Sequence, residues 1–190
     1  VLALRNNKFC GKISTTFELN DGNLSGADIA KIEDLGSVGL DYIKVGVSAD
    51  GNTWANLRKF AESLNKINNE VLENKLILVL MIADKRSFET VKNIPSSEVV
   101  KFSGIMIDTL NKESGSIFDI VNFTELSIIK KFALERNVDF GIAGSLDVSH
   151  TKLINQLQPN WVGYRGGVCL KKRSGPLSRA RLENLIDSFC

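Results

Sequence analysis

Six short apolar runs alternate with longer amphipathic stretches along this chain, and that rhythm restricts the fold more than any single residue does. The runs are Lys12–Phe17, Tyr42–Val47, Leu76–Ala83, Gly104–Asp108, Asp139–Ala143 and Trp161–Tyr164. Their length and flanking turn residues read as strands. Ala27–Leu35 and Trp54–Leu72 have helical spacing, the latter through Trp54, Leu57, Phe60, Ala61, Leu64, Ile67 and Val71. Ser97–Phe102 adds a short turn. Thr124 is read as the cap of a helix through Leu126, Ile129, Phe132 and Ala133 to Arg136. His150–Leu157 stops before Pro159, and Leu177–Phe189 sets Leu182, Leu185, Ile186 and Phe189 on one face. Strands joined by crossover helices run parallel, which gives an α/β fold, either doubly wound or a (β/α)8 barrel.

The 190 residues, 43% hydrophobic and 24% charged, fit one domain over 1–190 with a substantial core. Lys and Arg number 24 against 22 Asp and Glu, and no long basic run stands out, so no nucleic-acid footprint is visible. Cys10, Cys169 and Cys190 have no paired spacing, and with one histidine they speak against a metal site and suit a reducing cytoplasm. No apolar run approaches the roughly 20 residues of a membrane helix, and no leader pattern opens the chain. A homo-oligomer stays open to such a chain.

Chemistry is expected at the strand ends. Lys44 stands at the end of the apolar segment Tyr42–Val47, where a buried strand should run straight on, and an unpaired ammonium is costly to bury. Asp108 closes another apolar run, with Lys112 four residues on. Two lysines and an aspartate at strand ends point to carbonyl chemistry. In parallel α/β folds ligands bind at the carboxyl ends of the strands, where Lys44, Asp84, Asp108, Ala143-Gly144-Ser145 and Arg165-Gly166-Gly167 all fall. In barrels the loops after the last two strands commonly hold phosphate on backbone N–H groups, so a small phosphorylated substrate is expected.

Taken singly, each residue also has a structural reading. Lys44 snorkels from a strand end, Asp108 caps a turn, and Lys112 is a solvated loop lysine. Gly144-Ser145 and Gly166-Gly167 read as tight βα turns, where glycine permits positive φ. His150 reads as a helix-end residue and Cys169 as a packed thiol.

Taken together, the blocks Asp41-Tyr42-Ile43-Lys44-Val45-Gly46, Ala83-Asp84, Ile107-Asp108-Thr109 with Lys112, Ser116-Ile117-Phe118-Asp119, Ala143-Gly144-Ser145-Leu146 with His150, and Val162-Gly163-Tyr164-Arg165-Gly166-Gly167-Val168-Cys169 resemble the (5-formylfuran-3-yl)methyl phosphate synthase family of methanofuran biosynthesis. The resemblance runs from about Lys12 to the C-terminus. It implies a (β/α)8 barrel that joins two glyceraldehyde 3-phosphate molecules into a furan aldehyde phosphate, with loss of phosphate and water. It implies a lysine Schiff base and no metal or organic cofactor. Carried over by position, Lys44 is the proton acceptor, Asp108 the strand-end carboxylate and Lys112 the lysine that positions substrate. Asp84, Gly144, Ser145, Arg165, Gly166 and Gly167 then fall to substrate and phosphate binding.

The resemblance departs at the start of the chain. The family carries two further strands before the segment matching Lys12–Phe17, with its Schiff-base lysine at the end of the second. The chain opens at Val1, so residues upstream are expected, and the domain is read as a barrel lacking its first two strands. Ser14–Leu19 and Lys171–Ser174 also differ from the family, the second by having less glycine. Two other functions remain alongside: a phosphosugar isomerase or epimerase on the same barrel, and a non-catalytic relative.

Overall fold

The computed structural model describes residues 10–19, 24–65, 75–95, 101–112, 115–171 and 173–189, together with residues 4, 6, 8, 72 and 97. Its frame is a six-stranded sheet in which every strand pairs in parallel with its sequence neighbour. The strands are β1 (Ser14–Leu19), β2 (Tyr42–Ser48), β3 (Leu76–Ile82), β4 (Gly104–Thr109), β5 (Asp139–Ala143) and β6 (Trp161–Gly163). Between and after them lie α1 (Gly26–Ser37), α2 (Thr53–Leu64), α3 (Lys85–Lys92), the short α4 (Ile117–Ile120), α5 (Phe123–Leu134), α6 (Thr151–Leu157) and α7 (Arg179–Asp187). The α/β class and the parallel sheet stand as the alternation requires. The sheet is open among the described residues: β1 and β6 are its edges and do not pair with each other.

Alternation along the strands sorts the two faces. Ile43, Val45 and Val47 of β2, Leu78 and Leu80 of β3, and Ile105 and Ile107 of β4 are all buried, packed with helix residues such as Leu57, Phe60, Phe88 and Ile129 in one apolar cluster. Each such side chain contributes about 1.5–3 kcal/mol on burial. The other face curls. Tyr42 of β2 meets Trp161 of β6 edge-on at 5.5 Å across three intervening strands. Gly104 and Gly141 make room for that indole, because a Cβ on Gly104 would stand 2.3 Å from the ring.

Several boundaries move for local reasons. β1 starts at Ser14, not Lys12, because Asp41 holds the preceding residues: it accepts from Ile13 N at 2.7 Å and from Lys12 Nζ at 3.2 Å. The cap of α5 is Asn122, not Thr124; its side chain accepts from Glu125 N at 3.0 Å, and Asn122 N in turn donates to the Glu125 carboxylate at 3.2 Å. α2 ends at Leu64, and most of the expected continuation to Leu72 lies outside the described residues, as does most of 97–102. α3 has little apolar content beyond Phe88 and Val91 and was invisible to the hydropathy pattern. The expected apolar face of α7 is only partly covered, since Leu185 is buried while Ile186 is 55% exposed. Among the described residues no helix is long and apolar enough to cross a membrane.

Candidate functional site

The concave face of the sheet encloses an open cavity of about 1740 Å³. Trp161 and Tyr42 line its inner wall, as do Lys44, Asp108 and Lys112. Lys44 is not at a strand end as the sequence reading had it. It is the third of the seven residues of β2, beside Thr16 of β1 and Ile77 of β3. Alternation turns it inward because Ile43 and Val45 take the outer, buried face. Among the described residues its ammonium makes no hydrogen bond or ion pair.

Asp108, fifth of six residues in β4, shares a ladder row with Met81 and, through it, with Ser48. Lys44 therefore lies two inward positions before the residue of β2 that reaches the level of Asp108. Asp108 Oδ1 accepts from Thr109 N at 2.7 Å and from Lys112 Nζ, and the same ammonium donates to the Thr109 carbonyl. The two side chains are 25% and 22% exposed, so their charges meet in a partly dry setting. Burial holds the Lys112 pKa below the usual lysine range; Asp108 opposes that shift and the Arg173 cation adds to it. A lysine so placed yields free amine more readily than one in water.

Two glycine turns close the rim beside this pair. Gly144 has φ +111°, and a Cβ there would lie 2.7 Å from the Thr109 side chain. Ser145 follows at φ 48° and donates from Oγ to the Lys112 carbonyl at 2.9 Å, tying the turn to the lysine's own backbone. In the other turn, Gly166–Val168, a Cβ on Gly167 would stand 2.6 Å from the Leu146 carbonyl oxygen. The loops after β5 and β6 therefore pack against each other. Arg165 is exposed and donates from Nε to the Arg173 carbonyl at 3.3 Å.

Asp84 does not join this group. It caps α3, accepting from Ser87 N at 2.8 Å, and this bond holds its carboxyl below the usual range. It is not part of the cavity lining. His150 stacks on Phe118 at 5.6 Å between a 3-10 turn and α6, and the Cys169 thiol is buried. The structure adds residues the sequence did not single out for the site. Arg173 and Arg181 line the cavity, as does Tyr164, whose hydroxyl is buried without a partner among the described residues. Burial, with the Asp147 carboxylate, pushes that hydroxyl up to about 12. For Arg173 a signal existed in the basic run Lys171-Lys172-Arg173; for Tyr164 the hydropathy pattern held none.

An amine, a carboxylate, a second inward lysine and a rim of arginine and glycine amides suit proton transfer on a small carbonyl compound that carries an anionic group. Comparison with known proteins finds relatives of one name. A family model described as 4-HFC-P synthase matches residues 19–186. The (5-formylfuran-3-yl)methyl phosphate synthase of Archaeoglobus fulgidus is 24% identical over 153 residues, covering 79% of this chain and 65% of its own length. The relative of the same name from Methanothermobacter thermautotrophicus is 26% identical over 164 residues, covering 80% and 66%. The chain thus spans just under two thirds of the length of these relatives. Among solved structures, monomers of phosphoribosylanthranilate isomerase from Thermotoga maritima match with a TM-score of 0.56 over 96% of this chain and 74% of theirs; at 17% identity this likeness is one of fold.

Proposed function

The chain belongs to the 4-HFC-P synthase family, and we propose that it carries out that chemistry, joining two glyceraldehyde 3-phosphate molecules into (5-formylfuran-3-yl)methyl phosphate for methanofuran biosynthesis. The observation that carries the reading is the Lys112–Asp108 pair on the wall of a cavity that Lys44 also faces. In this reading a lysine amine adds to one aldehyde carbon and water leaves. The resulting imine acidifies the neighbouring C–H, Lys44 accepts its proton, and the enamine carbon attacks the second aldehyde. Ring closure expels one phosphate and two waters to give the furan, and hydrolysis of the imine, which takes back the water lost on its formation, frees the aldehyde and the lysine amine. Asp108 orients Lys112, which positions the substrate and holds its carbonyl oxygen. Arg165 and the backbone N–H groups of Gly144, Ser145, Gly166 and Gly167 hold phosphate. Asp84 has no part in it, since capping occupies its carboxylate.

The same reading extends to architecture. β1 to β6 are six strands of a (β/α)8 barrel, with two more closing the gap between the edges β6 and β1. The cross-sheet contact of Tyr42 with Trp161 supports it, because a flat sheet would hold β2 and β6 far apart. The reaction takes place in the cytoplasm and needs neither metal nor organic cofactor.

Incubation with glyceraldehyde 3-phosphate tests the proposal through phosphate release and the ultraviolet absorbance of a furan aldehyde. Both signals should rise together. Conversion to an isomeric triose phosphate without phosphate release would replace the synthase by an isomerase.

A further inference from the structure

The chain after β6 doubles back as a small hairpin whose role the synthase reading leaves open. Its root is an antiparallel bridge between Cys169 and Leu177, reinforced by Leu170 N donating to Pro176 O and Ser178 N donating to Val168 O, each at 2.8 Å. Arg181 of α7 donates from Nη1 to the Cys169 carbonyl at 2.6 Å and fixes that root from below. Farther out, the Arg173 carbonyl accepts from Arg165 Nε, so the outer part of the hairpin is tied to the rim of the cavity.

Arg173 and Ser174 line the cavity. Among the described residues the Arg173 guanidinium makes no hydrogen bond or ion pair, although it is near enough to Lys112 to disfavour that lysine's charge. Three cations, Lys112, Arg165 and Arg173, are thus gathered at one rim, and the Asp108 carboxylate there is already engaged with Lys112. Asp108 neutralises one of these three charges, and the cations left over are under mutual repulsion, which an anion entering between them relieves. A phosphate monoester is doubly charged with three terminal oxygens. One planar arginine fork satisfies two of them, and a second donor is needed for the third.

We infer that Arg173 is a substrate-binding residue: its guanidinium, carried on the 169–177 hairpin, grips the same phosphoryl group as Arg165 and sets the preference for a phosphorylated over a neutral aldehyde. The inference rests on the phosphate-ester reading above. The Arg165-to-Arg173 hydrogen bond couples the two grips, so that a phosphate held by one arginine is presented to the other.

The test is calorimetric titration of the full chain with inorganic phosphate, which needs no turnover, for the wild type and for Arg173→Gln, Arg173→Lys, Arg165→Gln and Lys171→Gln. Lys171 shares the hairpin and lies outside the cavity lining, so its replacement controls for hairpin charge. Losing charge-assisted bonds to phosphate should weaken binding about tenfold or more in Arg173→Gln. Arg173→Lys should recover part of the loss, and Lys171→Gln should bind within about twofold of wild type. Because Arg173 is exposed, thermal melting of the variants should match wild type. Undiminished phosphate binding in Arg173→Gln, with loss in Arg165→Gln, would overturn the role of Arg173 and leave the phosphate reading intact. A wild type that binds neither phosphate nor glyceraldehyde 3-phosphate would overturn both.

Discussion

The two faces of one sheet follow different rules. On the convex face β2 presents Ile43, Val45 and Val47, each no more than 1% exposed, under a layer of helices. On the concave face the same strand presents Tyr42, Lys44, Gly46 and Ser48 to a cavity. A period of two lets a strand carry a core on one side and a reactive wall on the other without compromise between them. Stability and the proposed chemistry therefore fall on opposite faces of one strand, and substitutions can be chosen to strain that separation.

The largest effect is expected from the outer face. Phe60→Ala, at a wholly buried helix position, should cost about 3–5 kcal/mol in denaturant unfolding. A loss below about 1 kcal/mol would mean that the helix layer is not what holds the sheet. Next, Lys44→Ala should lower turnover of glyceraldehyde 3-phosphate about 100-fold or more, with stability unchanged within about 1 kcal/mol because the ammonium has no partner to lose. Unfolding of Lys44→Ala instead would erase the distinction between the faces.

Gly104→Ala sharpens the comparison by being an inner-face position with an outer-face penalty. The new Cβ meets the Trp161 ring at 2.3 Å, so unfolding should show a loss of about 1–3 kcal/mol. Smaller again is Asn122→Ala, which removes the α5 cap and should cost about 1 kcal/mol.

The Lys112 charge offers a test by pH. Its folded pKa lies below the unfolded value, so the unfolded chain binds more protons between the two, and stability rises with pH across that window. The cost of burying the ammonium is present in full below the folded pKa and disappears toward the ordinary lysine pKa. Asp108→Asn should move the Lys112 pKa further down and Arg173→Gln should move it up, as read from the pH dependence of amine acylation followed by peptide mapping. Equal profiles in both variants would break the electrostatic picture of the rim.

Much of the outer face was legible in the sequence because burial imposes period two on strands and a stripe on helices. β5 falls at Asp139–Ala143 as read, and β2 and β4 each differ by one residue. α3 escaped because Phe88 and Val91 are its only buried apolar residues, and the cap of α5 slipped by two residues because Asn122 and Thr124 are both credible cap residues. The inner face was legible in residue type and not in depth. Lys44 reads as a strand end only because it breaks an apolar run, whereas ladder register, which one strand cannot reveal, sets it mid-strand. Asp84 looked like its strand-end companions until a local bond to Ser87 took its carboxylate. Trp161 appeared as an apolar strand residue, and nothing in its own segment announces that Gly104 and Gly141 leave space for it.

The proposed reaction requires a lysine of the concave face to form an imine with the aldehyde. Borohydride reduction of the full chain in the presence of glyceraldehyde 3-phosphate, followed by peptide mass mapping, asks this directly. One dominant adduct is expected, on a lysine whose side chain lines the cavity, and it should disappear when that lysine is replaced. Product formation with no trapped adduct, or adducts spread over the exposed lysines of the helices, would contradict it.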